Sequence, residues 1–568
     1  MATRRDFAPA PTPAPTPVPT RALLAAMAVL ATALTPAAAR AQAPAIDGLL
    51  SDWASIPTIA TDPAGDANGP IDLTAVRLTS AGTRLFAQLD LVTPLNLSSG
   101  PSTDPTLRMI VSLAGRSLTI DFRGRRAFLD NDPTQVVTWP AIDFVAMPTT
   151  ASTRFELRID TAAIGATQGS TVRVAFDGAD SLATPADFTL AAPPAASTRR
   201  SVARPTCHVL RIASLNTSNN FTTNVTGLND PARQPAFRRL IDAVNADVYC
   251  FSEEYSSTAA QVRTLINSAD PLDNATTFNV IKSGELVVAS PFPMTRVTPF
   301  AAAHLAVIVS PPAASGKPET LVITTHLKCC GFIGNSDDNT RISQSTLAAA
   351  DFVAFRNATL SATFAAKAGI PAILIGDMNL VGSTTPMDRW TASAPAGPGL
   401  TNLPLRRIAS DDAWTWKSAS GLGFWPGALD AAAVDTTRSI VVAALSLDSS
   451  ELTTSELQTL GLQASDSDVS DHSMSIVDLA PAPCPCNAAD IANTDGDLPS
   501  TPDGALDNGD FTAFFNAFFL PASSPLRTAA DIANTDGQTI ADGGGPDGQI
   551  DNGDFSAFFA AFFSGCQA

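Results

Sequence analysis

Positive charge and histidine are both scarce in this chain. Its 568 residues include 35 lysines and arginines against 54 aspartates and glutamates, which gives a formal net charge of −19 at pH 7. Proteins that hold nucleic acid through their own surface charge carry basic patches, so tight nonspecific binding of that kind is disfavoured. Chemistry that draws its positive charge from bound metal ions is not excluded. Because there are only four histidines, each one beside a carboxylate is a candidate for acid/base work.

Apolar segments long enough to span a membrane are missing as well. The stretch from Ala22 to Leu34 is apolar but short, and Ala39-Arg40-Ala41 behind it offers small residues for cleavage. We therefore expect residues 1–41 to be a signal peptide and the mature protein to be secreted, either extracellular or attached to the cell surface. Thr3-Arg4-Arg5-Asp6-Phe7 resembles a twin-arginine motif, so that export route stays open beside ordinary secretion, which we favour.

Cysteine is present in an odd number. Seven cysteines in an exported chain predict disulfides with one thiol left over. A bridge among Cys484, Cys486 and Cys566 would tie the ends of the last region. Cys250 is either a plain buried residue or the partner of Cys207, and Cys329-Cys330 either shapes its loop or pairs elsewhere.

Hydrophobic patterning predicts a multidomain chain. The first region alternates short β-rich runs such as Leu73–Leu78 with turn residues, which indicates a β-sandwich. The central region alternates apolar strands with helix-like stretches, which indicates an α/β layered fold. The last region is internally duplicated. The expected boundaries are residues 45–195 for the sandwich, 196–206 for a linker rich in Pro, Ala, Ser and Arg, 207–479 for the α/β domain and 484–568 for the duplicated module.

The first region opens with a motif. Ile46-Asp47-Gly48-Leu49-Leu50-Ser51-Asp52-Trp53, followed by Asp62, Asp66 and Asp72, resembles the family-nine-like carbohydrate-binding sandwich. The resemblance implies a polysaccharide partner. A spacer sandwich without a ligand is an equally open alternative.

The most informative motif is Gly376-Asp377-Met378-Asn379, which closes the apolar run of residues 370–375. A buried strand that ends in this way brings a carboxylate and an amide to its C-terminal edge, where sites on layered α/β sheets form. Ser470-Asp471-His472 stands beside another apolar run, and His326 follows a third. Two of the four histidines thus lie at strand ends, which predicts acid/base chemistry with or without a metal.

The order of these motifs resembles the endonuclease/exonuclease/phosphatase superfamily, the relatives of deoxyribonuclease I and neutral sphingomyelinase. The resemblance rests on the strand Leu210–Asn216, the strand Asp247–Glu253, His326, the Gly-Asp-Met-Asn motif, Leu429-Asp430 and the Ser-Asp-His motif, in that order. It implies a central four-layer sandwich in which two mixed β-sheets lie face to face with helices outside.

The resemblance also implies a role for each residue. The implied catalytic residues are His326, Asp377, Asn379, Asp430, His472 and Glu285, with Asp377 and Asn379 holding the attacking water and the phosphate. The implied ligands of Mg²⁺ or Mn²⁺ are Asn216, Glu253 and Asp471, because hard cations prefer carboxylate and amide oxygens. We expect His208 and His304 to be structural, and Glu254 to be a solvated neighbour of Glu253.

The last region carries aspartates at regular spacings. Its 85 residues hold 12 aspartates and one arginine, and each half ends in a helical stretch rich in phenylalanine. The spacing fits the second half of an EF-hand loop, although insertions put the early ligands out of register. The expected Ca²⁺ ligands are Asn493, Asp495, Asp503, Asp507 and Asp510 in the first repeat, and Asn534, Asp536, Asp547, Asp551 and Asp554 in the second. The module resembles the dockerins of exported planctomycete proteins, which implies a cohesin-like or cell-surface protein partner. The alternative is a pair of Asx-rich turns holding a helical hairpin.

These features together predict a secreted, divalent-metal-dependent phosphodiester hydrolase that acts on extracellular nucleic acid. A sphingomyelinase-like or inositol-phosphate-type phosphoesterase, with a phospholipid head group as substrate, is the second enzyme hypothesis. A surface-anchored binding protein without catalysis is the third.

Overall fold

The computed structural model describes residues 43–193, 199–204, 209–218, 227–269, 272, 277–393, 397–480, 489–492, 496, 506–521, 524–539 and 547–564. The predicted signal peptide and His208 lie outside these residues, and so do Cys207, Cys484, Cys486 and Cys566. Among the described residues no helix is long and apolar enough to cross a bilayer.

The first region consists of two antiparallel sheets. Its strands are β1 (Thr58–Thr61), β2 (Leu73–Ala81), β3 (Arg84–Leu95), β4 (Leu107–Leu113), β5 (Arg116–Asp121), β6 (Arg126–Leu129), β7 (Val136–Val137), β8 (Val145–Met147), β9 (Ser152–Asp160), β10 (Thr171–Gly178) and β11 (Ala186–Thr189). One sheet has the order β1-β2-β3-β9-β8 and the other β11-β10-β4-β5-β6-β7. Alternate side chains of both sheets, such as Leu89 and Val111, share one apolar core. Burial of one face of each strand explains the period-two pattern of this region.

The central region is built on two mixed sheets. Its strands are β12 (Leu210–Asn216), β13 (Val248–Ser252), β14 (Asn279–Ser283), β15 (Leu286–Ser290), β16 (Met294–Arg296), β17 (His304–Val309), β18 (Thr320–His326), β19 (Ala372–Asp377), β20 (Thr401–Leu403), β21 (Arg406–Arg407), β22 (Asp430–Val434), β23 (Ile440–Leu447) and β24 (Met474–Ala480). One sheet, here called sheet C, has the order β14-β15-β13-β12-β24-β23-β21. The other, sheet D, has the order β16-β17-β18-β19-β22-β20.

Helices cover the outer faces of the central sheets. The helices of this region are α1 (Gln234–Val244), α2 (Ala259–Ala269), α3 (Ser336–Arg356), α4 (Thr385–Thr391) and α5 (Thr454–Leu460). Apolar residues of both sheets, among them Ile212 and Ile375, form one buried cluster between them. Phe237 of α1 packs on the outside of sheet C, and Phe352 of α3 packs on the outside of sheet D. The central region therefore has helices, sheet, sheet and helices in succession, as an α/β sandwich requires.

The first region packs directly on the central region. Trp425, in the loop before β22, belongs to the buried core of the first region. The side-chain amide of Asn96 donates to the carbonyl oxygens of Val381 and Gly382, at 2.8 and 3.0 Å. The Thr149 hydroxyl donates to the carbonyl oxygen of Leu380 at 2.5 Å. The first region thus holds the segment that directly follows the Gly-Asp-Met-Asn motif.

The described part of the predicted linker also lies against the central region. Arg199 forms a bidentate ion pair with Glu456, in which Nε donates to Oε1 at 3.0 Å and Nη2 donates to Oε2 at 2.7 Å. Arg204 donates to Asp247 at 2.8 Å. These residues are therefore held by charge-assisted hydrogen bonds on the surface of the central region.

Two short helices, α6 (Asn508–Phe518) and α7 (Asn552–Ser564), form the described core of the last region. The rings of Phe514 and Phe558 are stacked, with centroids 3.9 Å apart and planes 14° apart. The two phenylalanine-rich faces therefore pack on each other. The sequences of α6 and α7 are repeats of each other, so the two helices form a pseudo-symmetric pair.

The described cysteines are unpaired. Cys250 is a buried free thiol on β13, which confirms the simpler of its two interpretations. Cys329 and Cys330 are exposed, and their sulfur atoms lie 2.7 Å apart.

Candidate active site

Three adjacent strands of sheet D bring three ionisable residues into one row. In the register of the sheet, His326 at the end of β18 lies opposite Asp377 at the end of β19, and Asp377 lies opposite Asp430 at the start of β22. The apolar runs of these three strands are buried on both faces, and each strand has its ionisable residue at this edge. Register alone therefore places a histidine and two carboxylates at one edge of this sheet.

Sheet C contributes the facing residues. Asn216 ends β12, and Glu253 follows the neighbouring parallel strand β13. The side-chain amide of Asn216 donates to Glu253 Oε1 at 3.1 Å and to Asp377 Oδ2 at 3.0 Å. A single buried amide thus links the two sheets across the candidate site.

His472 and Asp430 form a buried pair. The Nδ1 atom of His472 lies 2.7 Å from Asp430 Oδ2, and its Nε2 atom lies 3.7 Å from Asp377 Oδ2. Burial by itself lowers the pKa of His472, but the negative charges of Asp430 and Asp377 outweigh it and raise the pKa to about 10. The geometry holds a protonated imidazole with one N–H fixed on Asp430 and the other directed at Asp377.

His326 has a matching arrangement. Its Nδ1 atom lies 2.9 Å from Glu285 Oε2, and its Nε2 atom lies 3.7 Å from Glu253 and 3.6 Å from Asp377. Burial again lowers the pKa, but the hydrogen bond to Glu285 and the surrounding carboxylate charges raise the pKa of His326 to about 9. Tyr255 also donates to Glu285. Glu285 therefore orients His326 as Asp430 orients His472.

Asp377 is the common neighbour of both histidines. Its Oδ1 atom accepts the backbone N–H of Asn379 at 2.8 Å, and its Oδ2 atom accepts the Asn379 side-chain amide at 3.1 Å. Asn379 has a φ of 47°, so the chain turns back and brings its amide beside the carboxylate. Burial raises the pKa of Asp377 above its ordinary value although the charges of His472 and His326 lower it. A buried carboxylate of raised pKa beside two imidazoles is suited to accept a proton.

Asp471 lies at the border of the site, next to His472 in the sequence. Its Oδ2 atom accepts the indole N–H of Trp416 at 2.9 Å, and its charge contributes to the raised pKa of His472. The structure thus brings Asn216, Glu253, Glu285, His326, Asp377, Asn379, Asp430 and His472 into one hydrogen-bonded or closely spaced set. Asp471 borders that set.

Several supporting residues escaped the sequence analysis. The Thr415 hydroxyl accepts the backbone N–H of Asp430 at 3.0 Å, and Trp416 pairs in an isolated bridge with His472. The Ser470 hydroxyl donates to the carbonyl oxygen of Asn216 at 2.6 Å. Thr415 and Trp416 come from a loop without periodic pattern, so nothing in the sequence marks them. Ser470 stands inside the Ser-Asp-His motif, which was the available signal.

The donor set of the site fits a divalent cation. Asp377, Asp430 and His472 each offer one ligand atom within 4.8 Å of the others. However, Asp430 and His472 already share a hydrogen bond, which a metal between them would break. Asn216 and Glu253 form the better ligand pair, because the hydrogen bond between them uses the Asn216 side-chain N–H and Glu253 Oε1 and leaves the Asn216 amide oxygen and Glu253 Oε2 for a cation. Carboxylate and amide oxygens are the ligands that Mg²⁺ and Mn²⁺ prefer, and the Glu253 side chain is 24% exposed. The excess of carboxylates over histidines would repel a phosphate in the absence of a cation.

One prediction around the site is wrong and another is confirmed. Glu254 is fully buried rather than solvated, and its Oε1 atom accepts the backbone N–H of Leu228 at 2.9 Å. The reason is the φ of 61° at Glu253, which turns the next side chain into the protein. His304 is buried beside Trp390, with ring centroids 5.7 Å apart, as expected for a structural histidine.

The expected Ca²⁺ ligands of the last region are only partly described, because Asn493, Asp495 and Asp503 lie outside the described residues. Asp510 accepts the backbone N–H groups of Ile491, Ala492 and Asp507, and Asp554 repeats this with Ile532, Ala533 and Asp551.

Asp507 and Asp551 accept the N–H groups of Gly509 and Gly553 at the starts of α6 and α7. The Asp547 carboxylate accepts the backbone N–H of Thr535, and the side-chain oxygen of Asn534 accepts the backbone N–H of Gln538. Asp536 lies in an exposed turn. In the described part of the repeats these bonds correspond to the helical-hairpin alternative, and no acidic cluster of metal-binding spacing occurs there.

No protein-family model and no curated protein sequence matches the chain. Among solved structures the chain is similar to ANGEL2, described as a 2',3'-cyclic phosphatase in complex with adenosine-2',3'-vanadate. The identity is 13%, the TM-score 0.31, and the match covers 49% of this chain and 97% of that one. It is similar to D. rerio TDP2 complexed with a single-strand DNA product, at 13% identity and a TM-score of 0.30, over 48% of this chain and 98% of that one.

A third similar structure is an endonuclease/exonuclease/phosphatase from Beutenbergia cavernae DSM 12333. The identity is 17%, the TM-score 0.30, and the match covers 50% of this chain and 73% of that one. At these identities and TM-scores the likenesses support no statement about this chain, so its activity has to be inferred from its own side chains.

Proposed function

We propose that the central region is a divalent-metal-dependent phosphodiester hydrolase. The observation that carries the proposal is the convergence on Asp377 of two imidazoles, His326 and His472, each fixed at its far nitrogen by a carboxylate. The order of the motifs along the chain, which resembles the endonuclease/exonuclease/phosphatase superfamily, supports the same reaction class.

The residues divide the reaction among them. Asp377 accepts a proton from the attacking water, which its position beside Asn379 helps to orient. His472, kept protonated by Asp430, stabilises the negative charge that develops on the phosphoryl oxygens. His326, kept protonated by Glu285, gives a proton to the departing oxygen. Asn216 and Glu253 would hold Mg²⁺ or Mn²⁺, which when bound neutralises a phosphoryl oxygen.

The substrate is proposed as extracellular nucleic acid, with sphingomyelin or an inositol phosphate as the second candidate. A non-catalytic binding protein is the third candidate, and the two oriented histidines argue against it, because a binding surface has no need of matched imidazole–carboxylate pairs. Secretion, a polysaccharide partner for the first region, and Ca²⁺ binding with a cohesin-like partner for the last region remain proposals from the sequence.

A panel of DNA, RNA, sphingomyelin and a chromogenic phosphodiester, assayed with Mg²⁺, Mn²⁺ or EDTA, tests the proposal. Turnover of at least one phosphodiester with Mg²⁺ or Mn²⁺, and its loss in EDTA, is expected. Asp377→Asn and Glu253→Gln should each lower turnover by about 10²-fold or more. Asp388→Asn is the matched control, because Asp388 is an exposed aspartate on α4. Full activity in EDTA, or cleavage of none of these substrates by the folded protein, would reject the proposed function.

A further inference from the structure

Three aspartates of the first region lie together at the boundary between its two sheets. Asp62 directly follows β1, Asp66 lies in the loop between β1 and β2, and Asp180 follows β10. One carboxylate oxygen of each lies within 4.8 Å of the other two. Since β1 and β10 belong to different sheets, the three carboxylates connect one sheet to the other.

Two of the three aspartates are buried without a compensating positive charge. Asp62 is 8% exposed and Asp180 is 7% exposed. None of the three carboxylates forms an ion pair with a lysine or arginine of the described residues, although Asp90 and Asp177 in the same region do. Burying like charges side by side is strongly unfavourable unless something neutralises them.

One buried carboxylate oxygen of the cluster forms no hydrogen bond with the described residues. Asp62 Oδ1 accepts the backbone N–H of Ala183 at 2.9 Å, but Asp62 Oδ2 is buried and accepts no hydrogen bond from the described residues. Oδ1 of Asp72, in the same loop, is likewise buried without a partner in the described part of the chain. Native structures leave few such oxygens unpaired, and one that lies among other carboxylates is free to bind a cation.

We propose that Asp62, Asp66 and Asp180 bind a calcium ion that cross-links the two sheets of the first region. Oxygens on opposite sides of a Ca²⁺ ion are about 4.8 Å apart, because Ca–O distances are about 2.4 Å, so all three oxygens fit around one ion. Mg²⁺ demands shorter bonds and near-ideal octahedral geometry, which disfavours it at three carboxylates brought together from separate loops.

The backbone around the site ties ion binding to the fold of this edge. Asn68 donates its backbone N–H to the carbonyl oxygen of Ala179 at 2.7 Å, and Leu73, the first residue of β2, donates to Asp180 Oδ2 at 2.6 Å. The loop of residues 62–72 and the segment after β10 are thus already joined next to the three carboxylates. A cation here stabilises both segments, and its removal leaves the carboxylate repulsion opposing the same contacts.

The test uses the full-length chain and the variant Asp62→Asn/Asp180→Asn. Ca²⁺ binding is measured by calorimetry, and thermal unfolding is measured in Ca²⁺ and in EDTA. The wild type should bind one more equivalent of Ca²⁺ than the variant and should melt at the higher temperature in Ca²⁺. In EDTA the variant should melt at the same temperature as the wild type or at a higher one, because the variant lacks the carboxylate repulsion. The last region is identical in both proteins, so any Ca²⁺ that it binds cancels in the comparison.

Two further variants keep the proposal testable if the double variant folds poorly. Asp66→Asn replaces an exposed side chain, so it should weaken Ca²⁺ binding without changing stability in EDTA. Asp177→Asn, which breaks an ion pair with Arg108 three residues before Asp180, should leave Ca²⁺ binding unchanged. Equal Ca²⁺ stoichiometry and affinity in the wild type and the Asp66→Asn variant would overturn the proposal. An equally large difference in Mg²⁺ titrations would overturn the choice of calcium.

Discussion

The indole of Trp425 lies edge-on to that of Trp139, with ring centroids 6.2 Å apart and planes at 88°. Trp425 belongs to the central region by sequence but is buried in the core of the first region, where Phe144 also contacts it. It lies five residues before Asp430. The first region therefore holds both the loop that leads to Asp430 and, through Asn96, the segment that follows Asn379.

Trp425→Ala should destabilise the protein and disturb the active site together. Loss of a buried tryptophan leaves a cavity and costs about 3–5 kcal/mol of unfolding free energy. Because this loop leads directly to Asp430, turnover in the proposed phosphodiester hydrolysis should fall even where the variant is folded. Chemical denaturation and the chromogenic assay measure the two effects. Leu422→Ala is the control, since Leu422 lies in the same loop with 40% of its surface exposed. A stability loss in Trp425→Ala no greater than in Leu422→Ala would contradict the packing role.

Asp430→Asn should shift the alkaline limb of the pH–rate profile to lower pH. The charge of Asp430 contributes to the pKa of about 10 at His472, so its removal lowers that pKa. The proposed reaction uses both imidazoles protonated, and His326 has the lower pKa of about 9. The variant should therefore lose turnover at a lower pH than the wild type once the pKa of His472 falls below that of His326. Turnover at neutral pH should also fall by about 10²-fold, the scale of losing a fixed acid/base group. An alkaline limb and a neutral-pH turnover that both match the wild type would show that Asp430 does not hold His472 as a protonated imidazole.

His304 should make the protein sensitive to mild acid. Burial lowers the pKa of His304 to about 4 from an ordinary value of 6.5, and its Nε2 atom has no hydrogen-bond partner among the residues that the structure describes. In the unfolded chain His304 therefore becomes protonated near pH 6.5, whereas in the folded chain it becomes protonated only near pH 4. Stability should fall as pH decreases through this interval, by about 3 kcal/mol in total.

The matched variant is His304→Phe, which keeps a ring beside Trp390 but does not titrate. Urea unfolding at a series of pH values gives the difference between the two proteins, in which the carboxylates common to both cancel. The difference should grow in favour of the variant as pH falls below 6.5. Parallel stability curves for the two proteins would refute the assignment.

The residues of the site were predictable where the signal is local. An apolar run that ends in a polar residue marks a strand end, and that pattern identifies His326 and Asp377 without knowledge of the fold. Asn216 and Glu253 were identified through the resemblance to a known order of motifs. Which strand ends become neighbours is set by sheet order, a long-range property that the sequence pattern does not encode. Here the resemblance to a known order of motifs supplied it.

What the sequence did not predict depends on contacts between distant segments. Nothing in the local sequence indicates that Trp425 is buried by the first region, so the pattern predicted two separate domains joined by a linker. Thr415 and Trp416 act from an irregular loop, where neither helical nor strand periodicity exists. The prediction that Glu254 is solvated was wrong because the positive φ at Glu253 reverses the alternation of buried and exposed side chains that a continuing strand would have.

Asp507→Asn/Asp551→Asn separates the two hypotheses for the last region. Both aspartates accept a backbone N–H at the start of a helix, and asparagine caps helices about as well as aspartate. If the repeats are only a capped hairpin, the variant and the wild type should have the same helicity and melting temperature in Ca²⁺ and in EDTA. If the repeats bind Ca²⁺, the wild-type fragment should gain stability in Ca²⁺, about 2.7 kcal/mol at a hundredfold excess over Kd, and the variant should lose that gain.

The comparison can be made on residues 484–568 by calorimetry and circular dichroism, with the full-length chain as the reference should the fragment not fold alone. We expect the wild type to bind Ca²⁺, because 12 aspartates against one arginine leave an apo module with strong self-repulsion that a cation relieves. Asp510 and Asp554 are unsuited to this test, because their carboxylates each hold three backbone N–H groups and their loss would unfold the hairpin with or without calcium. If the wild type binds no Ca²⁺, the calcium hypothesis is wrong, and the role of the duplicated aspartates is to cap the helices.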